Sequence, residues 1–117
     1  MDAESAELLA AELSSRGARN VVVTLGKNGS IWLPEGAKTA VHQSAFSVDA
    51  VDTVGAGDCF GGVLAASLAS GLTPGDALER AAAAAAISVT RRGAQTSMPT
   101  GREIDELVRT RGRRGRR

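Results

Sequence analysis

Between residues 3 and 15, Ala6, Leu9, Ala10 and Leu13 recur every three or four positions among acids and serines, which predicts an amphipathic helix that Gly17 stops. The period then changes. NVVVTLG (20–26) is a β-branched apolar run, the pattern of a buried strand in a parallel sheet. GKNGS (26–30) is turn chemistry, with Asn28 and Gly29 both able to take positive φ. IWLP and TAVHQ, joined through Pro34-Glu35-Gly36, predict a small hairpin, and FSVDAVDT (46–53) alternates as a half-buried strand does. Three helices follow. The first runs from about Gly57 to Ser70, buries Phe60, Val63, Leu64 and Leu68, and has Gly71 beyond its end. The second opens with Thr73 as cap, Pro74 in the first turn and Asp76 against the dipole, then enters an alanine run that permits close packing. The third opens at Thr100-Gly101-Arg102-Glu103, a capping-box pattern, and buries Ile104, Leu107 and Val108. Helices alternating with apolar strands predict an α/β layer fold.

Composition narrows this to one ordinary soluble domain: 117 residues, 43% hydrophobic and 23% charged. Neither a membrane-length apolar run nor a signal-peptide pattern is present, so the expectation is a cytoplasmic protein without a membrane partner. Cys59 is the single cysteine, which excludes an internal disulfide and a thiolate metal cage. His42 is the single histidine and reads as an exposed strand residue, so histidine metal sites and triads are set aside. The net charge of +1 conceals an asymmetry, because six of the fourteen bases lie in RTRGRRGRR (109–117), which has no acid. With no apolar face to bury, that stretch reads as a disordered, solvated tail rather than a nucleic-acid contact, leaving residues 1–108 as the folded part.

Candidate chemistry concentrates at VDTVGAGDCFGG (51–62), where Asp52 and Asp58 bracket a stretch with almost no side chain. A strand delivers the chain into Val54-Gly55-Ala56-Gly57 and a helix begins at once. The first amides of a helix lack intrahelical partners, and here nothing blocks a ligand from reaching them. With the helix dipole they suit an anion, best a phosphoryl group. Asp58 would repel that anion, so it fits better as a base that takes a proton from the phosphoryl acceptor. The competing reading is that Asp58 caps the helix and the glycines turn the chain; no Walker-type Lys-Ser/Thr pair follows.

DTVGAGDCFGG resembles the C-terminal signature of the ribokinase-like (phosphofructokinase-B) carbohydrate kinases. VVVTLGKNGS resembles their nucleotide-site strand and turn, and AAAAAAISVTRRGAQTSMP the segment that ends a ribokinase proper. The blocks stand in family order, and the likeness runs from about Ala6 to Leu107. The resemblance implies the C-terminal portion of a three-layer α/β/α fold with a small β-hairpin, and an ATP-dependent sugar kinase. It implies Asp58 as catalytic base, with Gly55, Ala56, Gly57 and the Asp58 amide as the anion hole for the γ-phosphate. Thr24, Leu25, Gly26, Lys27, Asn28 and Gly29 would line the nucleotide, and the helix near Ala82 and Ala85 would wall the adenine. Potassium would be held by the Asp52 side chain and oxygens of Val54, Ser88, Arg91, Gly93 and Ser97; hard oxygen donors suit an alkali ion. Each has a plainer rival: Asp52 as an Asx-turn cap, Arg91 and Arg92 as helix C-terminal charges, Cys59 as a packed small residue rather than a reactive thiol.

The likeness covers only the C-terminal part of such kinases. Missing are the leading segment with the sugar-binding Gly-Gly and Asn/Asp residues, and the Asn-x-x-Glu motif that helps hold magnesium: Asn20 is followed by Val-Val-Val, and Asn28 by Gly-Ser-Ile. Two expectations follow. One is a ribokinase-type enzyme, present as a fragment or split-gene part, using ATP, Mg²⁺ and K⁺ with a complementary N-terminal half or a second copy. The other is a non-catalytic nucleotide- or partner-binding remnant.

Overall fold

The computed structural model describes residues 1–92 and 98–112. The chain divides into two compact units, Met1–Ala45 and Phe46–Arg117, and each is treated by itself.

In the first unit, α1 (Ala3–Ser15) opens on Asp2, whose Oδ1 accepts the Ser5 amide at 2.8 Å. That bond holds the Asp2 carboxyl below its ordinary value. Gly17 ends the helix at φ 109°. The expected face is only half used. Ala6 and Ala10 are fully buried, while Leu9 and Leu13 stay 39% and 40% exposed, because the helix seats its smallest side chains on the sheet. That sheet has three antiparallel strands in the order β1 (Val21–Thr24), β2 (Ser30–Leu33), β3 (Val41–Gln43). The hairpin expected of IWLP and TAVHQ is present, with Ile31 opposite His42.

Among the described residues the parallel pairing expected of β1 is not found: β1 runs antiparallel to β2, Val21 opposite Leu33 and Thr24 opposite Ser30. Residues 25–29 are too short a link for a parallel crossover. They form one 3₁₀ turn (Gly26–Asn28), closed by the Leu25 amide donating to the Gly29 carbonyl at 2.7 Å. Gly26 and Gly29 take positive φ there, and Asn28 does not. Gly29 has no substitute, since a Cβ would stand 2.1 Å from the Gln43 carbonyl oxygen. Asn20 ties the strand entry to the hairpin: its Oδ1 accepts from Trp32 Nε1 at 3.3 Å and from the Glu35 amide at 3.1 Å.

In the second unit α2 (Ala56–Ala69), α3 (Pro74–Val89) and α4 (Gly101–Arg111) pack around Phe46, Cys59, the α3 alanines and Ile104. The predicted caps form: Thr73 Oγ1 accepts the Asp76 amide at 3.2 Å, and Thr100 and Glu103 close a full capping box. On α2 the buried residues are Cys59, Phe60 and Ser67, while Leu68 is 37% exposed. The expected strand over 46–53 is absent. The alternation is real, with Phe46 buried and Ser47 exposed, but among the described residues no strand lies beside it to form a ladder. The helix α4 also reaches Arg111, three residues into the stretch expected to be tail. There Arg111 Nη2 donates to the Ser47 carbonyl at 2.6 Å, tying the last turn to the unit.

Gly29 and Gly36 make a matched pair, both at positive φ, but a Cβ at Gly36 would meet nothing within 4 Å. Gly36→Ala should cost about 1 kcal/mol for its backbone conformation. Gly29→Ala should cost a further ~1–3 kcal/mol for the collision with Gln43. Urea midpoints of the two variants check this, and equal midpoints would show that the β3 backbone simply yields.

Candidate functional site

The segment leading into α2 is shaped by short-range bonds. Asp52 Oδ1 accepts the Val54 amide at 2.9 Å, so the Asx turn is real, and the Ala56 amide reaches the Thr53 carbonyl at 3.3 Å. Gly55 then takes φ 83° and ψ −3°, a left-handed conformation that suits glycine, and swings the chain into the helix. The first helical bond into the turn is Cys59 N–H to the Gly55 carbonyl at 2.9 Å. The amides of Gly57 and Asp58 lie ahead of it, and among the described residues neither meets a carbonyl.

Both residues are exposed, and a Cβ at Gly57 would meet nothing within 4 Å, so the approach is open. Among the described residues no side chain makes a cap bond to α2, so the plainer role left to Asp58 is that of a first-turn charge on the helix dipole. Its carboxylate stands in the first turn, in solvent, beside two outward amides. This geometry can receive an anion and offer a base at its side.

The far wall of the loop is the end of α3. The Val89 carbonyl accepts the amides of Val51 and Asp52 at 2.6 and 3.0 Å, which holds the loop against that last turn. Asp52 and Val54 are therefore gathered near the helix end carrying Ser88, which is fully buried, and Arg91. The Arg91 guanidinium is not a bare charge at a helix terminus. It pairs with the Glu103 carboxylate and reaches the Met98 carbonyl at 3.5 Å. Glu103 thus serves its own helix cap and Arg91 together; the capping motif was visible in the sequence, whereas the second partner was not. Gly93 and Ser97, the remaining expected potassium ligands, lie outside the described residues. Among the described residues no three His, Cys, Asp or Glu side chains cluster as a metal site. One carboxylate with carbonyls and a hydroxyl suits an alkali ion better than a divalent one.

The other expected contacts divide. In the first unit Thr24, Gly26, Lys27 and Asn28 are exposed on the β1–β2 turn, while Leu25 and Gly29 are buried and shape it from within. In the second unit Ala82 belongs to the buried core, and Ala85 is half-buried. Cys59 is fully buried with Sγ donating to the Ala84 carbonyl at 3.6 Å. Burial pushes its thiol up, against the pull of the helix N-terminus, so it is a packing residue as expected.

A family model described as pfkB family carbohydrate kinase matches residues 2–101. The deoxyribokinase of Salmonella typhi is 38% identical over 99 residues, 85% of this chain and 32% of that protein. The ribokinase of Schizosaccharomyces pombe is 41% identical over 103 residues, 87% and 32% of the two chains. The solved structure of Arabidopsis thaliana ribokinase complexed with ribose and ATP superposes with TM-score 0.84 at 32% identity, covering 91% of this chain and 34% of that one. The chain thus spans about a third of the length of the relatives it matches.

The buried thiol yields a direct check. In the folded chain at pH 8, Cys59 should react with an aromatic disulfide reagent on the order of 100-fold more slowly than in the urea-unfolded chain, since reaction awaits an opening of the α2–α3 seam. Equal rates would mean that the seam is open.

Proposed function

The chain belongs to the pfkB family of carbohydrate kinases, and from that premise we propose that it is the nucleotide- and phosphate-handling part of a ribokinase-type enzyme. The observation that carries this reading is the left-handed Gly55, which opens α2 with the Gly57 and Asp58 amides unpartnered and the Asp58 carboxylate exposed beside them. The amides of Gly57 and Asp58 stabilise the negative charge on the transferring phosphoryl group, whereas that of Ala56, expected in the same anion hole, is taken by the Thr53 carbonyl. Asp58 accepts the proton of the sugar hydroxyl as its oxygen bonds to the γ-phosphorus and the bond to ADP breaks. Thr24, Gly26, Lys27 and Asn28 supply the exposed surface for the nucleotide.

Asp52, Val54 and Ser88, with the carbonyl of Arg91, would hold a potassium ion; when bound it supplies a fixed positive charge behind the loop. Magnesium would accompany the nucleotide, its ligands drawn chiefly from the phosphates and from outside the described residues. Ribose or deoxyribose is the acceptor class the relatives' names support. The rest of the sugar pocket would come from a complementary N-terminal part. The second reading is a remnant that binds nucleotide or a partner without turnover.

The two readings part in the test tube. The chain alone should not phosphorylate ribose at an enzymatic rate, about 1 s⁻¹ or more. Mixed with the first two thirds of the Schizosaccharomyces pombe ribokinase it should do so, and Asp58→Asn should lower that rate by ~10²–10⁴. Undiminished turnover in Asp58→Asn would leave the turn without a base, and no turnover at all in a formed complex would favour the remnant.

Potassium should stimulate the same mixture more than lithium, and Asp52→Ala should remove the difference. Losing a preorganised anion-hole contact costs ~10²–10³, and a loosened loop should cost less. A rate indifferent to the cation in both proteins would reduce Asp52 to its Asx turn.

A further inference from the structure

Arg91 faces two ways. Its main chain closes the end of α3, the amide donating to the Ser88 carbonyl at 3.1 Å. Its side chain turns to α4, where Nη2 pairs with Glu103 Oε2 and Nη1 donates to the Met98 carbonyl at 3.5 Å. The other oxygen of that carboxylate, Oε1, accepts from the Thr100 amide at 2.9 Å and the Thr100 hydroxyl at 3.2 Å. One carboxylate thus joins the end of α3 to the start of α4. Stability does not explain the pair. Its side chains are 33% and 37% exposed, and an ion pair in that setting contributes little. The cap does not require it either, because Gln serves as well as Glu at that position of a capping box. What glutamate adds is a negative charge beside Arg91.

Resting on the potassium site proposed above, we propose that Glu103 is a positioning residue for that site, acting through Arg91. It holds the guanidinium toward α4 and cancels its charge, so that the Arg91 carbonyl can face a cation. Carbonyl and guanidinium belong to one residue, a side chain's length apart, which lies inside the screening length of dilute salt. At that range an uncompensated guanidinium opposes a cation at the carbonyl. Asp52 supplies the other side-chain charge assigned to the site. With Glu103 in place, the site keeps the negative charge of Asp52. Without Glu103, Arg91 offsets that charge and the attraction for a cation falls.

Thermal unfolding of the full chain, followed by the circular dichroism of its helices, reads cation binding without nucleotide or sugar. Potassium chloride is titrated against lithium chloride at a constant total of about 50 mM, which keeps screening the same. For the parent, potassium should raise the melting temperature above that in lithium, and Asp52→Ala should abolish the difference. Glu103→Gln, which keeps the cap, should raise the apparent potassium dissociation constant at least ~3-fold. Arg91→Gln, alone or together with Glu103→Gln, should stay within ~2-fold of the parent, because no charge is then left to compensate. Thr100→Ala, which loses the hydroxyl of the cap but leaves the ion pair, should lower the melting temperature in both salts and leave the dissociation constant unchanged. A Glu103→Gln constant equal to the parent's would overturn the proposal while the potassium site stands. So would a double variant that binds no better than Glu103→Gln, or a Thr100→Ala constant raised as far. A parent without preference for potassium would overturn both the site and the role of Glu103.

Discussion

The candidate site depends on one carbonyl. Val89 lies at the end of α3, where the last carbonyls of a helix have no intrahelical donor, and its oxygen takes the amides of both Val51 and Asp52. That fork fixes the direction in which the chain enters the turn. With the approach fixed, Asp52 can close its Asx turn on Val54, and Gly55 can make the left-handed step that starts α2. Released from Val89, Asp58 would still begin a helix, but its bearing relative to the end of α3 would be free.

Alanine makes this arrangement possible. The run in α3 presents side chains no larger than a methyl group, and Ala83 and Ala84 are fully buried with Cys59 of α2 among them. Small surfaces let the two helices approach until a thiol can reach a backbone carbonyl. The other side of α3 is secured electrostatically, by Arg91 on the capping glutamate of α4 and by Arg80 on Asp105. Both pairs are partly exposed, so they serve register more than stability.

At the turn itself the chain departs from what would stabilise a helix best. A Ser, Thr or Asp at the cap would satisfy an outward amide, and the position holds glycine with no side chain to offer. The first-turn Asp58 suits the helix dipole but opposes an anion at the same place. A structural turn would resolve that conflict; on the proposed reading the conflict is used, because an anion hole and a base must stand side by side.

Local chemistry was legible from the amino-acid order alone. The caps at Thr73 and Thr100, the stops at Gly17 and Gly71, the hairpin through Pro34-Glu35-Gly36 and the bare turn at 54–57 each depend on residues within a few positions of one another. The family signature was legible for the same reason, being contiguous. What the sequence did not contain was the identity of distant neighbours. FSVDAVDT has a strand's alternation, but a strand exists only where another backbone lies alongside, and here Val51 and Asp52 bond instead to a helix end. β1 read as parallel because its side chains are apolar throughout, whereas strand direction follows from the length of the link to β2. The exposure of Leu9 and Leu13 and the hold of Glu103 on Arg91 were likewise decided by packing. Periodicity states which side chains share a face; only tertiary structure states what that face meets.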